Sequence, residues 1–284
     1  MRREILFMFV AMSLIPLGDT AGKLLNNNHD VAAIFVSWSR FAIGALCLLP
    51  FIYKDKAILR LLRDKRILAR GLVLVCTISS ILQAFTTVPI TTGFSILFIA
   101  PLISYLLSVV FLKEVITIRR TALVIGGFIG VLLVAQPSPS MDPNLIFAFL
   151  AGSLYGTYLT MSRAFAHLGT PVQMTSTQLI LGAVVLSPFA LMAFPPLNLS
   201  VMILAGVSSL SSLGGNLLLI LAYGLAPATR LAPFVYFQII AATTLGALVF
   251  GHWPNTMAWC GMVIIIICGV LSASPWASSQ QKAT

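Results

Sequence analysis

Apolar runs of about 20 residues recur along the whole chain and limit its possible folds more than any other feature. A helix of this length crosses the roughly 30 Å hydrocarbon core of a bilayer. Only 8% of the 284 residues are charged and 59% are hydrophobic, whereas soluble domains have about 25% charged residues. Because lipid offers the backbone no hydrogen-bond partners and the alternating pattern of a membrane β-barrel is missing, the runs predict helices.

Polar residues, Pro and Gly divide these runs into ten predicted spans, so the sequence predicts an all-α polytopic membrane protein with ten transmembrane helices. When the spans cross alternately, all 17 Lys and Arg residues except Lys23 and Arg40 fall on the side of the N-terminus. The positive-inside rule then places both termini in the cytoplasm, and we expect a bacterial inner (plasma) membrane. The predicted spans are 5–25, 31–53, 71–88, 90–112, 120–136, 144–163, 173–194, 200–222, 228–250 and 256–274.

The net charge of +10 suggests nucleic acid at first, but the position of the basic residues favours a lipid partner. Many of them lie in the basic, amphipathic segment 54–66, which predicts a short interfacial helix. In it, Ile58, Leu61 and Leu62 would enter the headgroup region while the cations face anionic lipid. We therefore expect the bilayer as a partner, and no nucleic acid.

The second half of the sequence repeats the first. Residues 35–50 align with 173–188 and residues 84–89 with 222–227, at a nearly constant offset of 138 to 140 residues. Each half contains five predicted spans, an odd number, so the halves would cross the membrane in opposite senses. The predicted organisation is two inverted five-helix repeats, 1–137 and 138–275, followed by a short cytoplasmic tail at 276–284. Inverted repeats are typical of secondary transporters.

Three short segments carry a family resemblance: Ser39-Arg40-Phe41 in span two, Ala100-Pro101-Leu102 in span four, and Phe111-Leu112-Lys113-Glu114 at the end of span four. With them, the chain resembles the drug/metabolite transporter superfamily, EamA type. The resemblance covers nearly the whole chain and implies transport, more often export, of amino acids and related metabolites. Segment 251–254, which matches the position of Glu114 in the second half, contains no carboxylate. Glu114 is therefore not expected to act as one of a symmetric pair.

Three ionisable residues lie inside the predicted apolar spans: Asp19, Lys23 and Arg40. A charge in the middle of a membrane helix costs about 2.5–3.5 kcal/mol on insertion scales, so these side chains should face a partner or a wet cavity. One interpretation is a substrate pocket in which a cation binds a carboxylate and Asp19 binds an ammonium group or a coupling proton. The alternative is a purely structural pair of Asp19 with Lys23 or with Arg40.

Further polar residues inside the spans are candidates for substrate binding. Any of them could instead form hydrogen bonds that only hold helices together. Gln178 occupies the repeat position of Arg40. The candidates are Gln83, Tyr155, Tyr158, Gln178, Tyr236 and Gln238.

The predicted function is a secondary active transporter, an exporter by family resemblance, that moves a small polar metabolite by alternating access. The intramembrane charges favour an amino acid or an amino-acid-derived compound, such as a metal-chelating or nucleoside-linked one. An uptake carrier for a similar metabolite is the alternative. The sequence contains no HExxH, no GxSxG and no clustered carboxylates, so neither an enzyme nor a metal or cofactor site is expected. Nothing resembles a channel selectivity filter. The expected oligomeric state is a monomer or a homodimer.

Overall fold

The computed structural model describes residues 3–88, 90–114, 116–136, 142–251, 253 and 255–273. All regular structure in these ranges is α-helical, which confirms the predicted all-α class. The predicted tail at 276–284 lies outside the described residues, as do positions 252 and 254. The helices are α1 (Arg3–His29), α2 (Ala33–Lys54), α3 (Ala57–Leu61), α4 (Lys65–Ala84), α5 (Ile90–Leu97), α6 (Ala100–Leu112), α7 (Ile118–Ala135), α8 (Leu145–Ala164), α9 (Pro171–Met192), α10 (Leu199–Leu225), α11 (Ala228–Val235), α12 (Phe237–Phe250) and α13 (Thr256–Ala273).

Seven helical segments of the described chain are long and apolar enough to cross a membrane: α1, α2, α4, α8, α9, α10 and the combined run of α11 and α12. Shorter apolar helices, among them α6, accompany them. The other three predicted spans correspond to α5 with α6, to α7, and to α13. Many long, apolar, half-buried helices in one chain identify a multi-pass membrane protein.

Helix α4 begins six residues before the predicted start of its span at residue 71. The physical reason is an N-cap: the Asp64 side chain accepts a hydrogen bond from the backbone N–H of Arg66, which satisfies one of the free donors of the first turn. Residues 65–70, which include three basic side chains, therefore belong to the helix and not to a loop. This shift moves Arg70 into the helical bundle.

The basic segment 54–66 forms only the five-residue helix α3, and its apolar side contacts protein. Ile58 is 1% exposed, and α3 packs against α9, so the prediction that Ile58 enters the headgroup region is wrong. The Asp55 carboxylate accepts a 2.6 Å hydrogen bond from Gln173 Nε2. This bond and one from the backbone N–H of Ala57 hold the pKa of Asp55 below its usual value.

Two predicted spans are interrupted at matching places. Span four divides into α5 and α6 around residues 98–99, and span nine divides into α11 and α12 at Tyr236. Adding 138 to the bounds of α5 gives those of α11. Pro101, in the first turn of α6, lacks the N–H that would bond to Leu97 and so prevents a continuous hydrogen-bond ladder.

Helix contacts repeat under the same offset. Helix α1 packs on α10 as α4 packs on α8, and α2 contacts α10 as α9 contacts α4. Helices α2 and α9 pack on each other with reciprocal contacts: Gly44 makes room for Leu179, and Gly182 makes room for Phe41. The numbers differ by 138 in both cases, because 41 becomes 179 and 44 becomes 182. The helix contacts of the two halves therefore correspond under the same offset as the sequence repeat.

Candidate functional site

A central cavity lies between helices from both halves of the chain. Its volume is about 40 Å³, enough for a few water molecules, whereas sites for small molecules usually measure about 300–1,000 Å³. The cavity is therefore too small for a metabolite in this conformation, and the helices would have to move apart to admit one. The lining residues are Ile15, Asp19, Arg40, Leu74, Thr77, Ile78, Ile81, Leu97, Tyr155, Ser212, Asn216 and Gln238.

Asp19 and Arg40 meet in the wall of this cavity. Arg40 Nη1 donates a 2.6 Å hydrogen bond to Asp19 Oδ1, and both side chains are 4% exposed. Arg40 Nη2 donates to the Gly18 carbonyl at 2.8 Å, and Nε donates to Ser208 Oγ at 2.9 Å. The structure thus forms the Asp19–Arg40 pair, and it places that pair on the cavity. A buried ion pair of this geometry is expensive to break from one side only.

Glycine residues of α1 make this arrangement possible. A Cβ atom at Gly22 would lie 2.9 Å from Arg40 Nη2, and one at Gly18 would lie 2.9 Å from the Ser208 carbonyl. Both distances are shorter than ordinary van der Waals contact. The spacing of four residues puts both glycines on one face of α1. That face admits the guanidinium from α2 and the backbone of α10.

Lys23 lies outside the central cavity. Its Nζ donates a 3.2 Å hydrogen bond to the Val88 carbonyl, and the side chain lines a separate cavity of about 10 Å³ with Asn26 and Phe85. Lys23 lies one turn, about 6 Å, further along α1 than Asp19. At that level its ammonium group reaches the Val88 carbonyl, which follows the end of α4. The three intramembrane charges therefore divide into a pair and a separate lysine.

Two side chains bring unpaired polar atoms to the central cavity. Among the described residues, neither the Tyr155 hydroxyl nor the Gln238 amide oxygen has a hydrogen-bond partner, although the two residues are only 7% and 1% exposed. Buried polar atoms normally find partners, and leaving one unpaired costs about 1–3 kcal/mol. A polar solute or water in the cavity would satisfy these two atoms.

Tyr158 and Gln178 belong to a second buried cluster, where the Tyr158 hydroxyl donates to Gln178 Oε1 at 3.1 Å. The centre of this cluster is Arg70, which is 0% exposed and donates from Nη2 to the same hydroxyl at 3.1 Å. The sequence analysis missed Arg70 because the apolar run starts after it. The N-cap residue Asp64 was the available signal for an earlier helix start.

The last two sequence candidates lie apart from both clusters. Gln83 is exposed, because it lies about 200° around α4 from the cavity residue Ile81. Tyr236 is fully buried at the interruption between α11 and α12, with its ring centre 6.0 Å from that of Phe98. Thr77 and Ser212, which the sequence analysis did not single out, do line the cavity.

Comparison with known proteins identifies the family of this chain. The model of the EamA-like transporter family matches residues 2–136 and, separately, residues 143–274. The S-adenosylmethionine uptake transporter of Rickettsia felis is 29% identical over 81% of this chain and 79% of its own length. The riboflavin transporter of Vibrio cholerae is 25% identical over 98% of this chain and 94% of its own length.

A solved protein structure has the same fold, with a TM-score of 0.76 at 14% identity over 95% of this chain and 96% of that one. The family and the named relatives are transporters, not enzymes, which confirms the resemblance to the drug/metabolite transporter superfamily. Two family matches cover almost the whole sequence, and a polar cavity lies where their helices meet. The chain therefore belongs to the EamA-like transporter family and is a multi-pass membrane transporter.

Proposed function

We propose that this protein is a secondary active carrier that moves a small, charged metabolite by alternating access, with the central cavity as its binding site. One observation carries the proposal. Helices of both family-matched regions enclose a cavity that holds a buried Asp19–Arg40 pair and the unpaired polar atoms of Tyr155 and Gln238. A site between two repeats that can open to either side is the usual arrangement in such carriers.

We propose ten transmembrane helices in two inverted repeats, 1–137 and 138–275, in the inner (plasma) membrane with both termini in the cytoplasm. The matching interruptions of spans four and nine support this architecture. So do the reciprocal contacts of α2 with α9. An approximate two-fold axis through that interface would give outward-open and inward-open states of similar energy, as alternating access requires.

The proposed substrate is an amino-acid-derived cation, and S-adenosylmethionine is the first compound to test. It carries a carboxylate, an ammonium group, a sulfonium group and an adenine. Arg40 suits the carboxylate, and Asp19 is a carboxylate in the cavity wall for a positive group. The Tyr155 ring can bind a sulfonium through a cation–π contact, and the amides of Gln238 and Asn216 can bond the adenine edge.

We propose uptake as the direction, in place of the export that the family resemblance first suggested. The Rickettsia felis relative is named an uptake transporter, and this name supports import. Asp19 is the proposed proton-coupling residue, because its carboxylate is the titratable anion of the cavity. Protonation would weaken its bond to Arg40 and so link a proton to cavity opening.

The test is counterflow in proteoliposomes that contain the purified protein. Vesicles loaded with unlabelled S-adenosylmethionine should accumulate the labelled compound transiently and saturably, while empty vesicles should not. Non-saturating flux would indicate a channel instead. A pH gradient across the vesicle membrane, with either the inside or the outside more acidic, then tests whether protons drive the transport. If S-adenosylmethionine and amino acids both fail to exchange, the proposed substrate class is wrong, whether or not riboflavin exchanges.

A further inference from the structure

Arg70 is a buried cation whose hydrogen-bond partners are all neutral. Its Nε donates to Ser162 Oγ at 3.1 Å, its Nη2 to Tyr158 Oη at 3.1 Å, and its Nη1 to the Met174 carbonyl at 3.4 Å. The Tyr158 ring centre is 4.8 Å from the guanidinium carbon. No carboxylate of the described chain forms an ion pair with it. Arg40, by contrast, has Asp19.

The Arg70 cluster is the counterpart of the Arg40 cluster under the sequence repeat. Residues 158–162 of α8 match residues 18–22 of α1 at an offset of 140, and Gln178 of α9 matches Arg40 of α2 at an offset of 138. Arg70 of α4 matches Ser208 of α10, again at 138. Each cluster thus joins the same three equivalent helices around one arginine.

The two clusters differ in charge balance. The position that matches Asp19 is Leu159, so the second cluster keeps an arginine but lacks a carboxylate. Hydrogen bonds to two hydroxyl groups and one carbonyl use three of the five N–H donors of Arg70 but leave its charge uncompensated. A buried charge without a counterion costs several kcal/mol. An anion that enters the cluster would recover part of this cost.

Polar atoms connect the two clusters. Arg40, Gln178 and Thr175 line one small cavity of about 10 Å³ between α2 and α9. The Thr175 hydroxyl has no hydrogen-bond partner among the described residues, and Thr175 follows Met174, whose carbonyl accepts from Arg70. Gln178 belongs to both sites, because it lines this cavity with Arg40 and accepts a hydrogen bond from Tyr158, which holds Arg70. Once the helices separate, the Thr175 hydroxyl would offer an unpaired donor to a small anion between the two arginines.

We infer that Arg70 is a second carboxylate-binding residue on the transport path. The substrate carboxylate binds near Arg40 when the cavity opens on the side of the Asp19 cluster, and it binds Arg70 when the cavity opens on the opposite side. Tyr158 and Ser162 hold the guanidinium in place between these events. This inference rests on the proposed carrier function and adds a second residue, beside Arg40, that selects for a carboxylate.

The first experiment uses acetate as a minimal carboxylate, so it does not depend on the transported compound. Purified protein is unfolded by heat in sodium acetate, or in acetamide with sodium chloride of equal ionic strength. Acetate should raise the unfolding temperature of the wild type above the acetamide value, and Arg70→Gln should reduce this difference to the part that Arg40 contributes. Arg66→Gln is the matched control, because Arg66 lies on the same helix with 55% of its side chain exposed and should leave the difference intact.

Two results would overturn the inference: no acetate effect in the wild type, or an acetate effect in Arg70→Gln that is as large as in the wild type. If Arg70→Gln is not recovered folded, Arg70→Lys replaces it. This variant keeps the charge but lacks the forked geometry that binds carboxylates, so it should show a reduced acetate effect. An unchanged effect in Arg70→Lys would also contradict the inference.

The second experiment measures selectivity in counterflow, with S-adenosylmethionine and its decarboxylated form as the two substrates. Arg70→Gln should lower the ratio of their rates by about tenfold or more, the value of a lost charge-assisted hydrogen bond. Equal losses for both substrates would show a merely structural role and overturn the inference. A wild type that carries neither compound would refute the proposed substrate, while the acetate measurement would still decide the role of Arg70.

Discussion

The contact between α2 and α9 offers a quantitative test of the two-fold packing. An alanine Cβ at position 182 would lie 2.4 Å from two atoms of the Phe41 ring, whereas ordinary contact begins near 3.4 Å. The ring or the helix must therefore move by about 1 Å, and such overpacking costs about 1–3 kcal/mol. Alanine recovers up to about 1 kcal/mol through its higher helix propensity. We expect Gly182→Ala to lower the free energy of unfolding by about 1–2 kcal/mol.

The matched control is Gly206→Ala on α10, because no atom lies within 4 Å of an added Cβ there. This variant should be as stable as the wild type or gain up to about 1 kcal/mol. Both variants are unfolded by denaturing detergent titration of the purified protein, with helical circular dichroism as the signal. Equal stability of Gly182→Ala and Gly206→Ala would refute the close contact. Adding Phe41→Leu should recover part of the loss, because it removes the clashing ring.

Three further predictions concern charged residues. Asp19→Asn and Arg40→Ala should each abolish most counterflow while the protein still inserts into the membrane; normal transport in both would refute the proposed site. Lys23→Met should lower the counterflow rate by less than about threefold, since Lys23 lies outside the central cavity, and a loss as large as that of Asp19→Asn would contradict this placement. Glu114→Ala should cost about 1 kcal/mol in detergent unfolding, because its carboxylate caps the N-terminus of α11; an unchanged unfolding midpoint would refute the cap.

The helices themselves were predictable because lipid imposes a simple rule on the backbone. Apolar runs near 20 residues must form helices, and the predicted spans agree with the observed helices to within a few residues at most ends. The N-terminus of α4 is the exception. An apolar span predicted from hydropathy stops at charged residues, but Asp64 caps a helix whose first six residues include three basic side chains. Local capping chemistry, and not hydropathy, sets that boundary.

The candidate site was predictable only in part, because helical phase and depth decide which polar side chains meet. The cost of burying each charge alone predicted that Asp19 would have a partner or a wet cavity, but left open whether Lys23 or Arg40 would pair with it. Gln83 carries no such charge and lies on the outer face of its helix. Contacts across more than 100 residues, such as Glu114 with the start of α11, have no local pattern from which to predict them.

The two arginine clusters differ in charge, and in the proposed carrier this difference would favour transport in one direction. An inverted repeat with identical halves would bind a substrate equally well from both sides. In this chain the first cluster holds an ion pair, Arg40 with Asp19, whereas the second holds Arg70 with neutral partners only. A zwitterionic or cationic substrate can contact both charges of the first cluster, but only its carboxylate suits the second. Under the proposed alternating access, this chemical difference would make the two open states unequal for the substrate and would give different affinities on the two sides of the membrane.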